Sequence, residues 1–155
     1  MFDAFGLGIF CADLEGRFTY VNPAAQALLG WTGEELLGRV VHDTIHHSRP
    51  DGSPFAREDC VLHQALERVA AQQEQDDQFW RKDGAPLEIA QTIAPLREKD
   101  KLIGAIVVFV DVSERRRHAD ALRRRATQQS ALTELGLLAL GDESLQALID
   151  QCTAR

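Results

Sequence analysis

Residues 102–125, LIGAIVVFVDVSERRRHADALRRR, combine an apolar strand with a charged helix and leave no loop between them. Side chains alternate along a strand, so its apolar residues divide between two faces. One face carries Val107 and Phe109, and the opposite face carries Ile106, Val108 and Val110. Because both faces must be covered, this strand is predicted to lie inside a sheet. A buried strand that continues into a helix suits a sensor better than an enzyme.

The junction between this strand and the helix is predicted to involve four residues. Ser113 is a suitable N-cap, and Glu114 suits the positive end of the helix dipole. Asp111 lies four positions before Arg115 and is expected to reach it. We expect these residues to pass strain from the sheet into the helix.

Composition limits the class of protein. The chain has 155 residues, 45% of them hydrophobic, which is enough for one core plus an appendage. A net charge of −7 argues against a general nucleic-acid binder. The scattered Cys11, Cys60 and Cys152 predict reduced thiols of a cytoplasmic protein. No apolar run approaches the ~18 residues of a membrane span, and no secretory signal is recognisable. We therefore expect no nucleic-acid or membrane partner.

Turn and capping signals predict the elements upstream of residue 102. Glu15-Gly16 and Asp83-Gly84 predict hairpin turns, and Asn22-Pro23 predicts a helix start. The predicted elements are strands over 6–14, 17–22, 77–82 and 86–98, helices over 23–30, 32–38 and 60–72, and a loop over 40–59. This order predicts an α+β fold with a five-stranded antiparallel sheet, helices gathered on one face, and a projecting C-terminal helix.

One sheet face and the helices are expected to enclose a small apolar interior. The residues predicted to line or fill it are Ile9, Cys11, Cys60, His63, Trp80, Leu87, Ile89, Ile93, Val107 and Phe109. A core filled by side chains is the simplest interpretation, and a small unidentified ligand is the alternative. No cofactor is expected.

Three stretches resemble, in the same order, parts of the PAS domain, a sensory module of bacterial signalling proteins. The first stretch is residues 8–39, which contain Asn22-Pro23-Ala24 and Trp31-Thr32-Gly33-Glu34-Glu35-Leu36. The second is residues 79–96, with Arg81-Lys82-Asp83-Gly84 at its turn. The third is residues 104–116, which contain the Asp-x-Ser-Glu-Arg junction. The resemblance covers residues 6–113 and implies the PAS fold. It also implies a multidomain protein whose output domain is a kinase, a phosphatase or a cyclase.

The C-terminal part is predicted to be helical throughout. Residues 114–129 are expected to form a signalling linker helix. Residues 130–155 are expected to form two amphipathic helices, separated at Gly141, with Ser144 as the cap of the second. Their sequence resembles the start of a GAF domain, which would be truncated here.

The second face of the exit strand predicts self-association. An exposed apolar patch usually marks an interface, and burial of a Val or Ile side chain is worth roughly 1.5–3 kcal/mol. We therefore expect a homodimer. The residues expected at its interface are Ile106, Val108, Val110, Leu122, Leu132 and Leu135.

Metal binding is the first alternative for a functional site. Five candidate ligands fall within 22 positions: His42, His46, His47, Cys60 and His63. Structural zinc sites show tightly paired spacings such as Cys-x2-Cys, and none is present. We therefore expect solvated histidines and a buried thiol, with no metal.

Heme, flavin and catalysis are further alternatives. Some members of the family bind heme through a histidine on the long helix, where His63 is predicted, although the aligned position falls nearer 58–60. Residues 58–61, Glu-Asp-Cys-Val, do not match the Asn-Cys-Arg motif of flavin-binding members. No enzyme motif occurs in the sequence. The residues around His118 do not resemble the signature of a kinase phosphoacceptor histidine. The arginines of 115–125 are expected to form a solvated helix face.

The sequence therefore predicts a sensory and dimerisation module. A ligand or a partner would change the sheet, and the C-terminal helix would pass that change on. Two alternatives stay open: a purely structural dimerisation domain with a filled core, and a heme or redox sensor that uses Cys60, His63 or their neighbours.

Overall fold

The computed structural model describes residues 6–68, 71–118 and 141–153. Its strands are β1 (Gly8–Asp13), β2 (Phe18–Val21), β3 (Gln72–Trp80), β4 (Pro86–Glu98) and β5 (Lys101–Asp111). Its helices are α1 (Pro23–Leu29), α2 (Gly33–Leu36), α3 (Val41–Ile45), α4 (Val61–Arg68), α5 (Ser113–Arg117) and α6 (Gly141–Thr153), with a 3₁₀ turn at Arg57–Asp59. No helix among these residues is long and apolar enough to cross a membrane.

The five strands form one antiparallel sheet in the order β2-β1-β5-β4-β3. β5 lies in the middle, and its Val107 is in register with Phe10 of β1 and Ile93 of β4. Residues 104–109 are all buried, as a strand that is apolar on both faces requires. The predicted α+β fold with a five-stranded sheet is confirmed.

The inner face of the sheet packs against α1 to α4. Phe10, Phe79 and Phe109 meet at its centre, with ring centroids 5.2–6.2 Å apart. Phe18 adds an edge-to-face contact with Phe10 at 5.0 Å. Aromatic pairs of this kind contribute about 0.5–1.5 kcal/mol beyond the area they bury. The interior is therefore a packed aromatic core.

The outer face of the sheet is covered by α6 of the same chain. Leu148 and Ile149 of α6 pack against an apolar cluster of the sheet, formed by Leu7, Ile9, Cys11, Leu96, Ile106 and Val108. Ile106 is 2% exposed and Val108 is 0% exposed. The expectation that a single chain leaves this face bare is therefore wrong, and the homodimer stays a prediction.

Asn22 joins the start of α1 to the first strand. Its Oδ1 accepts hydrogen bonds from the backbone N–H of Ala25 at 2.8 Å and of Ile9 at 2.9 Å. Pro23 occupies the first helical position, and Gly30 ends the helix with φ 73°. Glycine adopts this left-handed conformation without strain. The predicted start and end of the helix are confirmed.

Two further local signals from the sequence are confirmed. The Thr32 hydroxyl accepts from the N–H of Glu35 at 3.2 Å, and the Glu35 carboxylate accepts from the N–H of Thr32 at 2.9 Å, which completes the capping box. Gly84 has φ 84° in the turn between β3 and β4. Both signals depend on neighbours in sequence, so they are readable without tertiary structure.

β3 differs from its prediction in length. It begins at Gln72 instead of residue 77, and it ends at Trp80. Its first residues, QQEQDD, show no alternation of polar and apolar side chains, so no strand pattern marks them. In the described sheet β3 is an edge strand that pairs with β4. Backbone hydrogen bonds therefore extend it beyond its apolar part.

The segment predicted as a loop, 40–59, contains a helix and a turn of 3₁₀ helix. α3 follows Val40, which makes no side-chain cap hydrogen bond. The 3₁₀ turn at Arg57–Asp59 also lacks a side-chain cap. Neither element has a capping residue, and the single apolar pair of α3, Val41 and Ile45, is too short a pattern to mark a helix in the sequence.

α6 begins at Gly141, so Ser144 lies within the helix and is not its cap, contrary to the prediction. Residues 119–140 lie outside the described part of the chain, and with them the predicted interface residues Leu122, Leu132 and Leu135. The linker helix over 114–129 is described only as far as His118. The linker helix and the GAF-like start therefore stay predictions.

Two cysteines meet where α6 covers the sheet. Cys152 of α6 packs against the outer cluster that contains Cys11 of β1, and each thiol shifts the pKa of the other. This contact lowers the pKa of Cys152, while the contact and burial raise the pKa of Cys11 well above its usual value. We therefore expect Cys152, as the thiol with the lower pKa, to be the one that attacks an oxidant. We expect diamide, which takes up the two thiol hydrogens, to join the two residues in a disulfide within one chain.

Peptide mass spectrometry after diamide treatment measures this crosslink. Cys60 is the internal control, because it lies in the inner cluster on the other side of the sheet and is expected to stay unlinked. A Cys152→Ser variant should lose the crosslink. Linkage found solely between two chains would contradict the docking of α6 on its own sheet.

Candidate functional site

α3 places two histidines at the inner side of the sheet. His42 lies on α3 and His46 is the residue directly after it, and the two are 9% and 4% exposed. Cys60 reaches the same place from the residue before α4 and is 2% exposed. Ligating atoms of the three residues all lie within 4.8 Å of one another. Three side chains that can hold protons or metal ions thus meet in a buried position.

His46 lies at the centre of a chain of hydrogen bonds, which we call the His46 network. Its Nδ1 is 3.2 Å from the Cys60 sulfur, and its Nε2 is 3.0 Å from Oδ1 of Asp77 on β3. Oδ2 of Asp77 accepts a hydrogen bond from the Gln91 side chain of β4 at 2.7 Å. The network therefore joins α3, the residue before α4, and two strands of the sheet.

The two histidines differ in their affinity for protons. Burial alone would lower the pKa of His46, but hydrogen bonds to Asp77 and Cys60 outweigh it and raise the pKa to about 9. Burial lowers the pKa of His42, and the nearby His46 adds to this effect, while its hydrogen bond to Phe55 opposes it. With no other ligand present, His46 is charged and His42 neutral at pH 7.

One nitrogen of His42 is left without a partner. Its Nε2 is 2.9 Å from the carbonyl oxygen of Phe55, which can only accept, so this nitrogen carries the proton and donates. Its Nδ1 is buried and has no hydrogen-bond partner among the described residues. An unsatisfied buried acceptor costs free energy and calls for an explanation.

A cleft of ≈ 250 Å³ opens beside the His46 network. Its lining residues are His46, Ser48, Arg49, Pro50, Phe55, Asp76, Asp77 and Gln78. Charged groups of both signs border it, in contrast to the phenylalanine-filled interior. The cleft therefore gives solvent and polar molecules a route to the side of the network.

The same part of β3 also contacts the predicted signal junction. Asp76, next to Asp77, lies 3.5 Å from the guanidinium of Arg115 on α5. Asp111 does not pair with Arg115 as predicted. Instead it lies 3.8 Å from Arg81 and accepts a hydrogen bond from the N–H of Ser113 at 2.8 Å. The junction is thus held by β3 and the β3–β4 turn, and Glu114 is exposed in the first turn of α5.

The residues predicted for the interior divide between the two faces of the sheet. Six of them belong to the inner cluster: Cys60, Leu87, Ile89, Ile93, Val107 and Phe109. Ile9 and Cys11 lie on the outer face, so their assignment to the interior was wrong. The stretch Gly8–Asp13 is apolar almost throughout, and such a run does not show which set of alternate residues faces inward. Phe10 and Ala12 are the inward residues.

Trp80 lies at the rim and not in the interior. It is half-buried, and its Nε1 donates to the carbonyl of Ser48 at 2.8 Å. The His47 ring stacks on it with centroids 6.1 Å apart. Trp80 therefore holds the segment after α3 against the end of β3.

His63 does not provide a heme site. Its side chain is 32% exposed, and its Nε2 pairs with Glu67 at 3.2 Å on α4. Phe10, Phe79 and Phe109 occupy the interior that a porphyrin would need. The described residues therefore do not fit heme.

The order Cys60, His46, Asp77 is that of a nucleophilic triad. A nucleophile must touch its substrate, whereas Cys60 is 2% exposed and does not border the cleft. The arrangement is better suited to holding a proton or a metal ion than to attacking a substrate. Sequence reasoning missed Asp76, Asp77 and Gln91, because they lie in polar stretches without a motif.

Comparison with known proteins places this chain. A model of the PAS fold matches residues 1–112. Probable diguanylate cyclase DgcE of Escherichia coli (strain K12) is 30% identical over 148 residues, 95% of this chain and 13% of that protein. Signal transduction histidine-protein kinase AtoS of the same organism is 27% identical over 135 residues, 86% of this chain and 20% of that protein. The chain thus spans a fifth or less of these two relatives.

A solved structure agrees on the fold. The PAS domain of a protein from Colwellia psychrerythraea superposes with a TM-score of 0.59 and 22% identity, over 74% of this chain and 92% of that one. The strand order, the capped helices and the match of the family model over residues 1–112 agree with one another. This chain belongs to the PAS fold family.

Proposed function

We propose that this chain is a sensory module that passes changes at the His46 network to the helix after the sheet. A pair of adjacent carboxylates on β3 carries the proposal. Asp77 accepts a hydrogen bond from His46 at 3.0 Å, and Asp76 pairs with Arg115 of α5 at 3.5 Å. One strand therefore contacts both the buried network and the exit helix.

Alternation along β3 explains why the two neighbours have different partners. Adjacent side chains of a strand point to opposite faces, so Asp77 points to the inner face and Asp76 to the outer one. If His46 moves and β3 moves with it, Asp76 also changes its position relative to Arg115. The Arg115 side chain is 17% exposed, so it cannot swing freely to follow that movement.

β4 supplies a second connection between the network and α5. Gln91 of β4 donates to Asp77 at 2.7 Å. Three residues earlier in β4, the carbonyl of Glu88 accepts from the N–H of Val112 at 2.9 Å, directly before α5. This contact supports transmission through the β3–β4 hairpin as a unit.

The relatives support a multidomain setting for this module. By name, one is a diguanylate cyclase and the other a histidine-protein kinase, and each is several times longer than this chain. We place the module in a cytoplasmic signalling protein whose output domain responds to α5. A small polar ligand in the cleft, or a partner that contacts it, is the proposed signal.

The packed interior favours a second candidate, a purely structural module. The contacts among Phe10, Phe79 and Phe109 fill the space where many small ligands would bind. In that case, changes in the His46 network would alter overall stability without a selective effect on α5.

Pairing of two copies is a further part of the proposal. Ile106 and Val108 are already covered by α6, while Val110 is half-buried at the edge of the same cluster. A second copy can occupy this face only when α6 moves away. We therefore propose that α6 and a second copy compete for the outer face.

Replacing Asp77 with Asn should loosen α5 as well as β3. The substitution removes the carboxylate that holds His46, and the loss of this partly buried charged hydrogen bond costs about 1–3 kcal/mol. We expect faster amide hydrogen exchange in residues 113–118, measured by mass spectrometry. Asp100→Asn, in the exposed turn between β4 and β5, is the matched control and should leave these residues unchanged.

An Arg115→Gln background separates transmission from general destabilisation. If coupling runs through Asp76 and Arg115, Asp77→Asn should add no further exchange in residues 113–118 there. Equal acceleration throughout the sheet would instead support the purely structural module, whereas additive effects confined to residues 113–118 would assign the coupling to the contact between Glu88 and Val112.

Replacing Leu148 with Asp should release α6 from the sheet. Leu148 is 0% exposed, and a carboxylate cannot be buried there without a partner. We expect the exposed outer face to raise the fraction of dimers, measured by size-exclusion chromatography with light scattering. Gln146→Asp, on the exposed side of the same helix, is the control. A variant that loses α6 docking by limited proteolysis yet stays monomeric would rule out the competition.

A further inference from the structure

We infer that His42, His46 and Cys60 form a binding site for one zinc-class divalent metal ion, with a fourth position left open. Their chain spacing lacks the paired motif of structural zinc sites, which is why the sequence predicted no metal. α3 and the residue before α4 nevertheless bring the three side chains together, with ligating atoms within 4.8 Å of one another.

In both imidazole rings Nδ1 is the nitrogen that is left for the proposed ion. Nε2 of His42 donates to the Phe55 carbonyl at 2.9 Å, and Nε2 of His46 faces the Asp77 carboxylate at 3.0 Å. Nδ1 of His46 lies 3.2 Å from the Cys60 sulfur, and His42 would bind the ion through its own Nδ1. Metal-binding histidines usually have such a carbonyl or carboxylate on the second nitrogen, which fixes the tautomer and the ring orientation.

A hydrogen-bonded cluster without metal explains only part of this arrangement. It accounts for the contact of 3.2 Å between Nδ1 of His46 and the Cys60 sulfur. It leaves Nδ1 of His42 buried and without a hydrogen-bond partner in the part of the chain that the structure describes. His42 is 9% exposed, so solvent does not satisfy this nitrogen freely. A metal ion would use the lone pair of both histidines and the thiolate together.

The distances suit zinc. Zinc lies about 2.3 Å from sulfur and about 2.0–2.1 Å from nitrogen, so its tetrahedral nitrogen and sulfur ligands stand roughly 3.6 Å apart. The separation between His46 and Cys60, 3.2 Å, is already close to this value. The widest separation in the trio, at most 4.8 Å, would have to shorten by about 1 Å, which side-chain rotation can provide.

Charge and space also suit a divalent ion. The Cys60 thiolate and the Asp77 carboxylate together supply two negative charges. A void of ≈ 10 Å³, bordered by His42, Cys60 and His63, is about the size of one water molecule and could hold the fourth ligand. Arg57 also borders this void, but its guanidinium donates to the carbonyl of Glu15 at 3.1 Å.

Cobalt titration tests the site, because Co²⁺ occupies zinc sites and absorbs light. The full chain, freed of metal by a chelator and kept reduced, should bind one Co²⁺ per chain with a thiolate-to-cobalt charge-transfer band. One equivalent of Zn²⁺ should remove the band. Cys60→Ser should abolish it, and His42→Asn should weaken cobalt binding at least tenfold. Asp77→Asn should weaken it by about 10–100-fold through the orientation of His46.

Matched controls use residues of the same type outside the trio. Cys152→Ser and His47→Asn should bind Co²⁺ as the unchanged chain does, because Cys152 lies on the outer face and His47 stacks on Trp80. Absence of a band, or a band that survives Cys60→Ser, would overturn the inference.

X-ray absorption of the zinc-loaded unchanged chain gives a second measurement that needs no folded variant. It should show one sulfur at about 2.3 Å and two imidazole nitrogens at about 2.0–2.1 Å. A coordination shell of oxygen and nitrogen atoms without sulfur would contradict the proposed site. Metal binding and transmission to α5 are separable, since the site can hold metal whether or not Asp77→Asn changes exchange in residues 113–118.

Discussion

The burial of β5 on both faces is the constraint on which the rest of the structure depends. Each Val or Ile side chain of this strand gains roughly 1.5–3 kcal/mol when it leaves water. Val107 and Phe109 therefore require the layer formed by α1 to α4, and Val108 requires a second layer outside the sheet. That second layer is α6 of the same chain. The sheet is thus covered on both faces, and any partner for the outer face must displace α6.

The sequence was most informative where structure depends on neighbouring residues or on a clear period. The cap at Asn22, the capping box of Thr32 and Glu35, and the turn at Gly84 were all predictable for this reason. Which side chains of β1 face the interior was not predictable, because an almost continuous apolar run shows no alternation of polar and apolar residues. Phe10 faces inward since it lies opposite Val107 in the central strand, and this is information about pairing, not about β1 itself.

The candidate site was predictable only as a set of residue types. The sequence marks His42, His46 and Cys60 as possible ligands, but 31 positions separate His46 from Asp77, which orients it. The start of β3 is polar without an apolar period, and α3 is so short that Val41 and Ile45 are its only apolar residues, so the contact between the two elements could not be inferred. Spacing rules for metal sites describe ligands on one local motif, and they do not detect ligands that tertiary packing brings together.

The position of the site within the sheet bears on the proposed route of transmission to α5. β5 is enclosed on both faces, so its displacement would disrupt both apolar clusters at once. β3 is an edge strand with a polar first half, and it can shift at lower cost because it pairs with β4 alone in the described sheet. Asp76 and Asp77 lie on this edge strand, between the His46 network and Arg115. Transmission from the edge strand directly to α5 is therefore physically easier than strain carried along β5 through Asp111.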